Sequence, residues 1–580
     1  MNWKNSRKIV AGILIAAFLF GCGTKKGKNE VIIHELSDTD MLTPFNYQSA
    51  STQYVLAQLF QSLLGQDPVT FEDLPGLAKA VPTPLKDSTG KGMSITYEIR
   101  EDAKWDDGTP ITGNDVAFSM KVIKNPKTDC QPYKGFFDFV EDVVTDPSNP
   151  KKVTFVCNNV HMHSVENTGG LLILPSKIYD PKNLMASFTV KQLNDTSKAL
   201  ASDPKIIEFA TNYNSEKYQR EKGYIVGSGA YEFSEWITGQ KIVLKRKKNW
   251  WGEKYEKENV GFQAYPQQLV YQTINDYTAA IVALKGKKLD VAYGIKYKDF
   301  TELPKSEKVK ENFNLHTPRS MQYHYFGMNL RNPKFADKKV RQALAHLTDV
   351  DKMVSVLTYG LADRVIGPIH PSKKEIYNSN IKPYDYNIEE AKKLLDEAGW
   401  KDSNHDGILD KNINGEHVEF NITFTYNAGN DTRRDAGLMF KESCRQAGIN
   451  VDVVPQEWAM YIQNQKQHKF EMFYGAWVGS TLDPDEKQIW HTEAIEGGSN
   501  YVFFGNAETD KLVDDIRTEL DAKKRAPMYL KFQEILHDES PYIFLFAPKE
   551  RIAISKRFTN AEAYDVRPGF AENMFKLEDK

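Results

Sequence analysis

One stretch limits what this chain can be. Ile9 to Phe20 is an unbroken apolar run of twelve residues, and no run of that length recurs anywhere else in the 580 residues. As a helix it would rise about 18 Å, well short of the ~30 Å hydrocarbon core of a bilayer. A multi-spanning membrane protein is therefore excluded, and everything after Phe20 must bury its apolar residues by folding. The run follows Lys4, Arg7 and Lys8. A basic segment followed by a short apolar one is the order of a secretory signal.

Leu19-Phe20-Gly21-Cys22 comes next and resembles a bacterial lipobox, with Phe20 where a small residue is usual. Cleavage before Cys22 would leave that cysteine as a lipidated N-terminus. An ordinary signal peptide with an incidental cysteine, or a retained anchor, are the other readings. Gly23 to Asn29 is rich in Gly and Lys and reads as a flexible tether. The net charge of −3, from 75 Lys and Arg against 78 Asp and Glu, becomes more negative once the three basic residues of the signal are removed. So balanced a chain is no general nucleic-acid binder. At 41% hydrophobic and 26% charged residues it reads as globular rather than disordered, with length for three to five domain-sized units. Four cysteines are too few for a disulfide framework. Cys130 and Cys157 can pair in an oxidising envelope, or all of Cys130, Cys157 and Cys444 are buried free thiols.

Strand and helix patterns alternate along the chain. Val31 to Ile33, Ser94 to Arg100 and Lys241 to Lys245 read as strands; Ser51 to Leu64, Asn114 to Lys124, Glu389 to Ala398 and Asp521 to His537 read as helices. Gly399 and Pro541 stop the last two. Interleaving of this kind predicts an α/β architecture.

A series of blocks then resembles the bacterial extracellular solute-binding proteins of family 5, the receptors of peptide, nickel and related ABC importers. It begins with Leu74-Pro75-Gly76-Leu77-Ala78 and continues through Trp105-Asp106-Asp107-Gly108-Thr109-Pro110-Ile111-Thr112 into Asn114 to Ser119. Gly227 to Tyr231, Asn249 to Gly252, Phe326 to Leu330 with Val340 to Leu344, Tyr359 to Pro371, Tyr386 to Trp400, Asp483-Pro484 and Pro541 to Phe544 follow in the family's order. The Trp105 block reads as strand, turn and strand, with Thr112 or Asn114 capping the next helix, so its role is architectural.

The resemblance implies a periplasmic-binding-protein-like α/β fold of the cluster C type: two lobes, a hinge and a small extra domain. On that pattern residues 1–21 are the signal peptide and 22–29 the lipidated cysteine and tether. Lobe I would take 30–60, 160–285 and 540–580, the extra domain 61–159, and lobe II 286–539. Ligand would sit between the lobes, and closure about the hinge would present a shape that the permease reads. The implied function is a lipid-anchored, monomeric substrate-binding subunit in the cell envelope, on the periplasmic face or the outer face of the cytoplasmic membrane. It would capture oligopeptides or dipeptides for an ABC permease and its ATPase, with no catalysis, no cofactor and no nucleic acid.

The expected ligand strand is Tyr474, Gly475, Ala476, Trp477 and Val478, whose main chain would pair with an extended peptide. Peptide-binding members carry an aspartate three residues after this tryptophan, facing the peptide ammonium. Here that residue is Ser480, and Pro484 fixes the register. Asp483 is the nearest carboxylate, either as a substitute or as part of a turn. Ser37, Asp38 and Thr39 after the first strand are further candidates, with Tyr323, His324, Tyr325 and Asn329. Arg433 and Arg434 can meet a carboxylate bidentately. Ser480 keeps a second reading open: the same receptor role for an oligosaccharide, a metal chelate or another amphipathic solute, or a chaperone or adhesin on this fold.

Rival chemistries are weaker. Asp402-Ser403-Asn404-His405-Asp406-Gly407 matches the first half of a calcium loop, but Ile413 stands where glutamate is needed and only Asp410 adds a later oxygen. An Asx-rich turn is the other reading. His161-Met162-His163 lacks further ligands at metal spacing. There is no GxSxG elbow and no HExxH pair.

Overall fold

The computed structural model describes residues 29–578, apart from 195–197 and 480. Cys22, the lipobox and most of the tether lie outside the described residues. None of the described helices is long and apolar enough to cross a membrane.

Glu30–Glu35 (β1) is the alternating strand expected after the tether. It lies near the middle of a seven-stranded sheet in the order 313–316, 552–555, 291–292, β1, 268–273, 241–246 and 231–237. Strands 291–292 and 313–316, which the sequence reading put in lobe II, thus belong to this first sheet. Asp290, fully buried, accepts from the Ile32 amide at 2.9 Å and pairs with Arg557 at 2.8 Å, so the first and last parts of the chain are tied across one carboxylate.

A four-stranded sheet of 85–86, 93–98, 149–157 and 140–146 forms the extra unit. Its core is continuous with that of the seven-stranded sheet, running from Val31 and Ile33 through Ile95, Phe118 and Phe155. The Trp105 block explains part of this union. Its turn closes by Gly108 N–H to the Trp105 carbonyl at 3.0 Å, with Gly108 at φ +83°, a conformation glycine adopts at little cost. Lys247 then reaches across to Asp106 at 2.7 Å, and Lys177 to Asp107 at 2.8 Å. Thr112, not Asn114, caps the following helix, with Asp115 completing a capping box.

The second lobe is built on a five-stranded sheet. Its strands are Gln322–Met328 (β2), Asn421–Asn427 (β3), Asn450–Gln456 (β4), Met472–Val478 (β5) and Tyr542–Phe544 (β6), in the order β4-β3-β5-β2-β6. β3 runs parallel to β4 and β5; β2 is antiparallel to β5 and β6. Both faces are covered. Asp431–Gln446 (α1) packs Phe440 and Cys444 on one face, while Trp458–Lys466 (α2), Ala507–Thr518 (α3) and Ala522–Glu539 (α4) place Tyr461, Ile516 and Phe532 on the other.

Among the described residues, two segments join the two large sheets, 317–321 and 545–551. They run side by side, with Glu550 N–H donating to the Pro318 carbonyl at 2.8 Å and a bridge between Arg319 and Lys549. This pair of short connections is the hinge that the resemblance implied.

Other expectations resolve locally. The helix expected at 51–64 ends at Leu59, because Phe60 turns extended and 64–66 is a strand. Cys130, Cys157 and Cys444 are buried free thiols; burial pushes the first two up to about 12, which keeps them protonated. In the Asp402 loop the Asp402 carboxylate accepts from the Asp406 and Gly407 amides at 3.1 and 3.0 Å. Asp410 accepts from the Ser403 amide and hydroxyl at 2.8 and 2.6 Å. The loop is an Asx-rich turn satisfied by its own backbone.

Candidate ligand-binding cleft

The strand order of the second lobe creates a gap. β3 leaves toward α1 on one face, and β5 is entered from α2 on the other. The two parallel strands stay paired only at Phe424 with Met472 and Thr425 with Phe473. β3 then follows β4 to the Asn427–Gln456 pair, and β5 runs on alone beside β2 to Val478. A crevice at the carboxyl ends of parallel strands, between connections on opposite faces, is where open α/β sheets hold ligands.

The free edge of β5 can be assigned residue by residue. In an antiparallel pair one residue's N–H and C=O point to the same side, and successive residues alternate. Odd-numbered residues face β2: Gly479 N–H donates to the Met321 carbonyl at 2.6 Å, and the Glu471 carbonyl accepts from Asn329 at 3.0 Å. Even-numbered residues face the gap: the Met472 carbonyl accepts from the Thr425 hydroxyl at 3.2 Å, and the Tyr474 carbonyl accepts from the Tyr461 hydroxyl. Ala476 and Val478 therefore turn their main-chain groups to the open side, where β3 no longer pairs. Val478 is 58% exposed.

Side chains furnish the gap. Tyr474 is fully buried and its hydroxyl bonds His324 Nδ1 at 2.8 Å. His324 stacks on Phe546. Burial, with help from the Arg433 charge, holds its imidazole down to about 3, so it is neutral. Arg433, in the first turn of α1, lies 5.2 Å over the Tyr474 ring. Its Nε is buried without a partner, and no carboxylate among the described residues lies within ion-pair distance. Arg434 is different: it is spent on Asp431 and Asp435 at 2.8 Å each. The two arginines that the sequence presents as a pair thus divide into a surface ion pair and an unpaired cation in the crevice.

The remaining candidates are placed as follows. Trp477 is half-buried, stacks on Tyr501 and donates to the Tyr542 hydroxyl at 3.4 Å. Tyr323 and Tyr325 share the opposite face from His324, as alternation predicts, and both are buried; Tyr325 stacks on Tyr542 at 3.8 Å. Gly475 is required there, because an added Cβ would come within 2.1 Å of the Tyr325 ring. Asn329 is a fastener, donating to the His468 and Phe470 carbonyls at 3.2 Å. Asp38 accepts from Trp236 Nε1 at 3.0 Å and the Gly239 amide at 2.7 Å, holding the 231–246 hairpin, while Ser37 is exposed. Ser480 lies outside the described residues. Asp483 is committed to Arg525 at 2.9 Å, with Lys373 at 4.0 Å.

A second set of contacts joins the lobes outside the hinge. Met162 inserts into the apolar cluster of the second lobe, and its amide donates to the Arg517 carbonyl at 2.9 Å. His161 meets Asp485 at 3.2 Å, His163 Nε2 meets the Asp483 carbonyl at 2.7 Å, and the Thr481 hydroxyl donates to Gln66 at 2.8 Å. His161-Met162-His163 is therefore a latch between lobes. In the sequence the same three residues read as a metal motif that lacks further ligands.

Comparison with known proteins agrees with this architecture. The family model described as bacterial extracellular solute-binding proteins, family 5 (middle), matches residues 74–494. The oligopeptide-binding protein AppA of Bacillus subtilis (strain 168) is 27% identical over 490 residues, covering 82% of this chain and 79% of that protein. The solved structure of Bacillus subtilis AppA with a nonapeptide superposes with a TM-score of 0.69 at 23% identity, covering 95% of this chain and 99% of that one. NikA from Brucella suis, in complex with Fe(III)-EDTA, gives a TM-score of 0.73 at 16% identity, covering 95% and 100%.

Proposed function

Since the chain belongs to the bacterial extracellular solute-binding proteins of family 5, we propose that it is the receptor subunit of an ABC importer and closes its two lobes on a peptide. The observation that carries this reading is the open edge of β5. Ala476 and Val478 offer main-chain donors and acceptors two residues apart, at the spacing an extended peptide needs to add as a strand. Main-chain pairing gives affinity that is indifferent to side chains. Arg433 supplies an unpaired cation beside that edge for a ligand carboxylate. A peptide ligand in the related AppA complex supports the choice.

A second reading rests on Asp483. Its carboxylate is held by Arg525 and Lys373, so it offers no free negative charge to a peptide ammonium. That favours a solute without a free amine at this position, and a chelate complex in NikA keeps such solutes within the reach of the fold. Mass spectrometry of ligand released by denaturing the purified protein separates the two. Peptides are expected; a sugar or a chelate in their place would overturn the peptide reading.

The receptor acts with a separate permease and ATPase and has no catalytic role of its own. Cys22 carries the lipid that holds it at the membrane, reached through the Gly23–Asn29 tether. Intact-mass analysis of the mature protein is expected to show diacylglycerol on Cys22, and a Cys22→Ser variant is expected to leave the membrane fraction.

A further inference from the structure

The hinge is gripped from one side by the turn 563–570, whose Phe570 belongs to the core of the first lobe. A bridge between Ala563 and Phe570 closes the turn, and Asp565 fastens it to the hinge by accepting from the Arg319 amide and Nε at 2.7 Å each. Arg567 of this turn donates to Gln322 Oε1 at 2.9 Å, with Glu550 3.6 Å from its guanidinium. Gln322 is the first residue of β2. Its Nε2 lies 2.8 Å from His324 Nε2, and His324 Nδ1 lies 2.8 Å from the Tyr474 hydroxyl. A continuous row of hydrogen bonds thus runs from the first lobe into the crevice.

The row has a direction, and the arginine sets it. A guanidinium only donates, so Gln322 turns its carbonyl oxygen to Arg567; the reverse amide orientation would set two donors against each other. The Gln322 amide nitrogen then donates to His324 Nε2, which must carry no proton. His324 is neutral, because burial holds its pKa down, so its single proton sits on Nδ1 and is given to the Tyr474 oxygen. Stacking on Phe546, with ring centres 5.1 Å apart and planes at 21°, keeps the imidazole in this orientation. Tyr474 accepts that bond, and its own O–H has no acceptor among the described residues. Burial raises the pKa of this hydroxyl, and the Arg433 charge, 5.2 Å over the ring, draws it back and strengthens the hydroxyl as a donor.

We propose that Arg567, Gln322 and His324 are positioning residues that hold the Tyr474 hydroxyl as a hydrogen-bond donor toward the ligand, where together with Arg433 it selects a carboxylate. The preference for a carboxylate rests on the peptide reading of the cleft; the direction of the row does not. With an acceptor at both ends of residue 322, the imidazole proton would move to Nε2 and Tyr474 would spend its O–H on Nδ1. The ligand would then meet an oxygen lone pair, which repels a carboxylate.

Gln322→Glu makes that change with almost no change of shape. Nitrogen-15 spectra of the histidine-labelled, ligand-free full chain at pH 8, with the His324 signal identified by its loss in His324→Asn, are expected to show the proton on Nδ1 in the wild type and on Nε2 in Gln322→Glu. In calorimetric titrations with tetra-alanine and its C-terminal amide, the wild type is expected to prefer the free carboxylate at least tenfold. Gln322→Glu and Tyr474→Phe are each expected to reduce that preference at least threefold. Adding Gln322→Glu to Tyr474→Phe is expected to reduce it no further; a further reduction means that the new charge acts on the ligand directly and overturns the role of the hydroxyl. A proton on Nε2 in the wild type, or the same tautomer in both proteins, overturns the inference and leaves the peptide reading intact. If the wild type binds neither peptide, the peptide reading ends, and the two tautomers still decide the direction of the row. Should Gln322→Glu not fold, Arg567→Met is expected to give a mixture of tautomers and Arg567→Lys the wild-type one; a single unchanged tautomer in Arg567→Met overturns the inference.

Discussion

At the scale of single residues, burial decides most of the unusual chemistry. His370 is buried beside Ser372 with Nε2 unpaired, and burial lowers its pKa to about 4 from the ordinary 6.5. The folded protein therefore holds the neutral form while the unfolded chain takes up a proton. The stabilisation is complete above pH 6.5 and is lost as pH falls through the interval down to about 4, by at most ~3 kcal/mol. Glu35 and Glu166 act in the opposite sense: burial raises both to about 7, so their contribution falls as pH rises from 4.5 through 7. Relative to the wild type, the melting temperature of His370→Gln is expected to rise as pH falls from 6.5 to 4.5, since the variant lacks this loss; a difference that does not change with pH would mean that His370 is not held neutral by the fold. Gly475 is the strictest position. Tyr325 is pinned against Tyr542 and has no room to withdraw from an added methyl group. Gly475→Ala is expected to cost about 1–3 kcal/mol or more in a urea titration.

At the scale of elements, the decisive unit is the strand β5. Proline at 476 removes an N–H on the open side, where the sheet makes no use of it, and the bonds to β2 come from the odd-numbered neighbours. Ala476→Pro is expected to lower peptide affinity at least tenfold while the melting temperature changes by a few degrees; a collapse of stability instead would mean that the edge is not free. How far the sequence could be read is also clearest here. The periods of β1, the 113–124 helix and α4 were legible, because each buries one face with a regular repeat and each helix carries its own start and stop residues. The order of blocks pointed to the fold. What stayed hidden depends on contacts distant in sequence. The divergence of β3 from β5, the separate fates of Arg433 and Arg434, and the capture of Asp483 by Arg525 have no local pattern. Asp38 and Asn329 look like site residues in the sequence for the same reason: their partners lie some 200 and 140 residues away.

At the scale of the whole molecule, two connections and one latch govern the relation between lobes. Burying a methionine side chain stabilises by roughly 1.5–3 kcal/mol, so the Met162 insertion alone favours the lobe arrangement seen here about tenfold or more over one that exposes Met162. Met162→Asp is expected to reverse that bias. Small-angle scattering of the ligand-free variant should give a larger radius of gyration than the wild type, and saturation with ligand should narrow the difference. Equal radii in both proteins would mean that the latch does not control closure.

The seven-stranded sheet has a consequence for the timing of synthesis. β1 (Glu30–Glu35) is made long before Ile552–Ser555, which lies one place beyond its short neighbour 291–292. A chain still attached to the ribosome lacks that strand, and Arg557 has not yet arrived to neutralise Asp290. The first lobe therefore completes only after residues 552–557 have been released, and its long-range pairings form slowly. Until then the N-terminal half stays unfinished and threadable, which is the condition a translocation channel requires of its cargo.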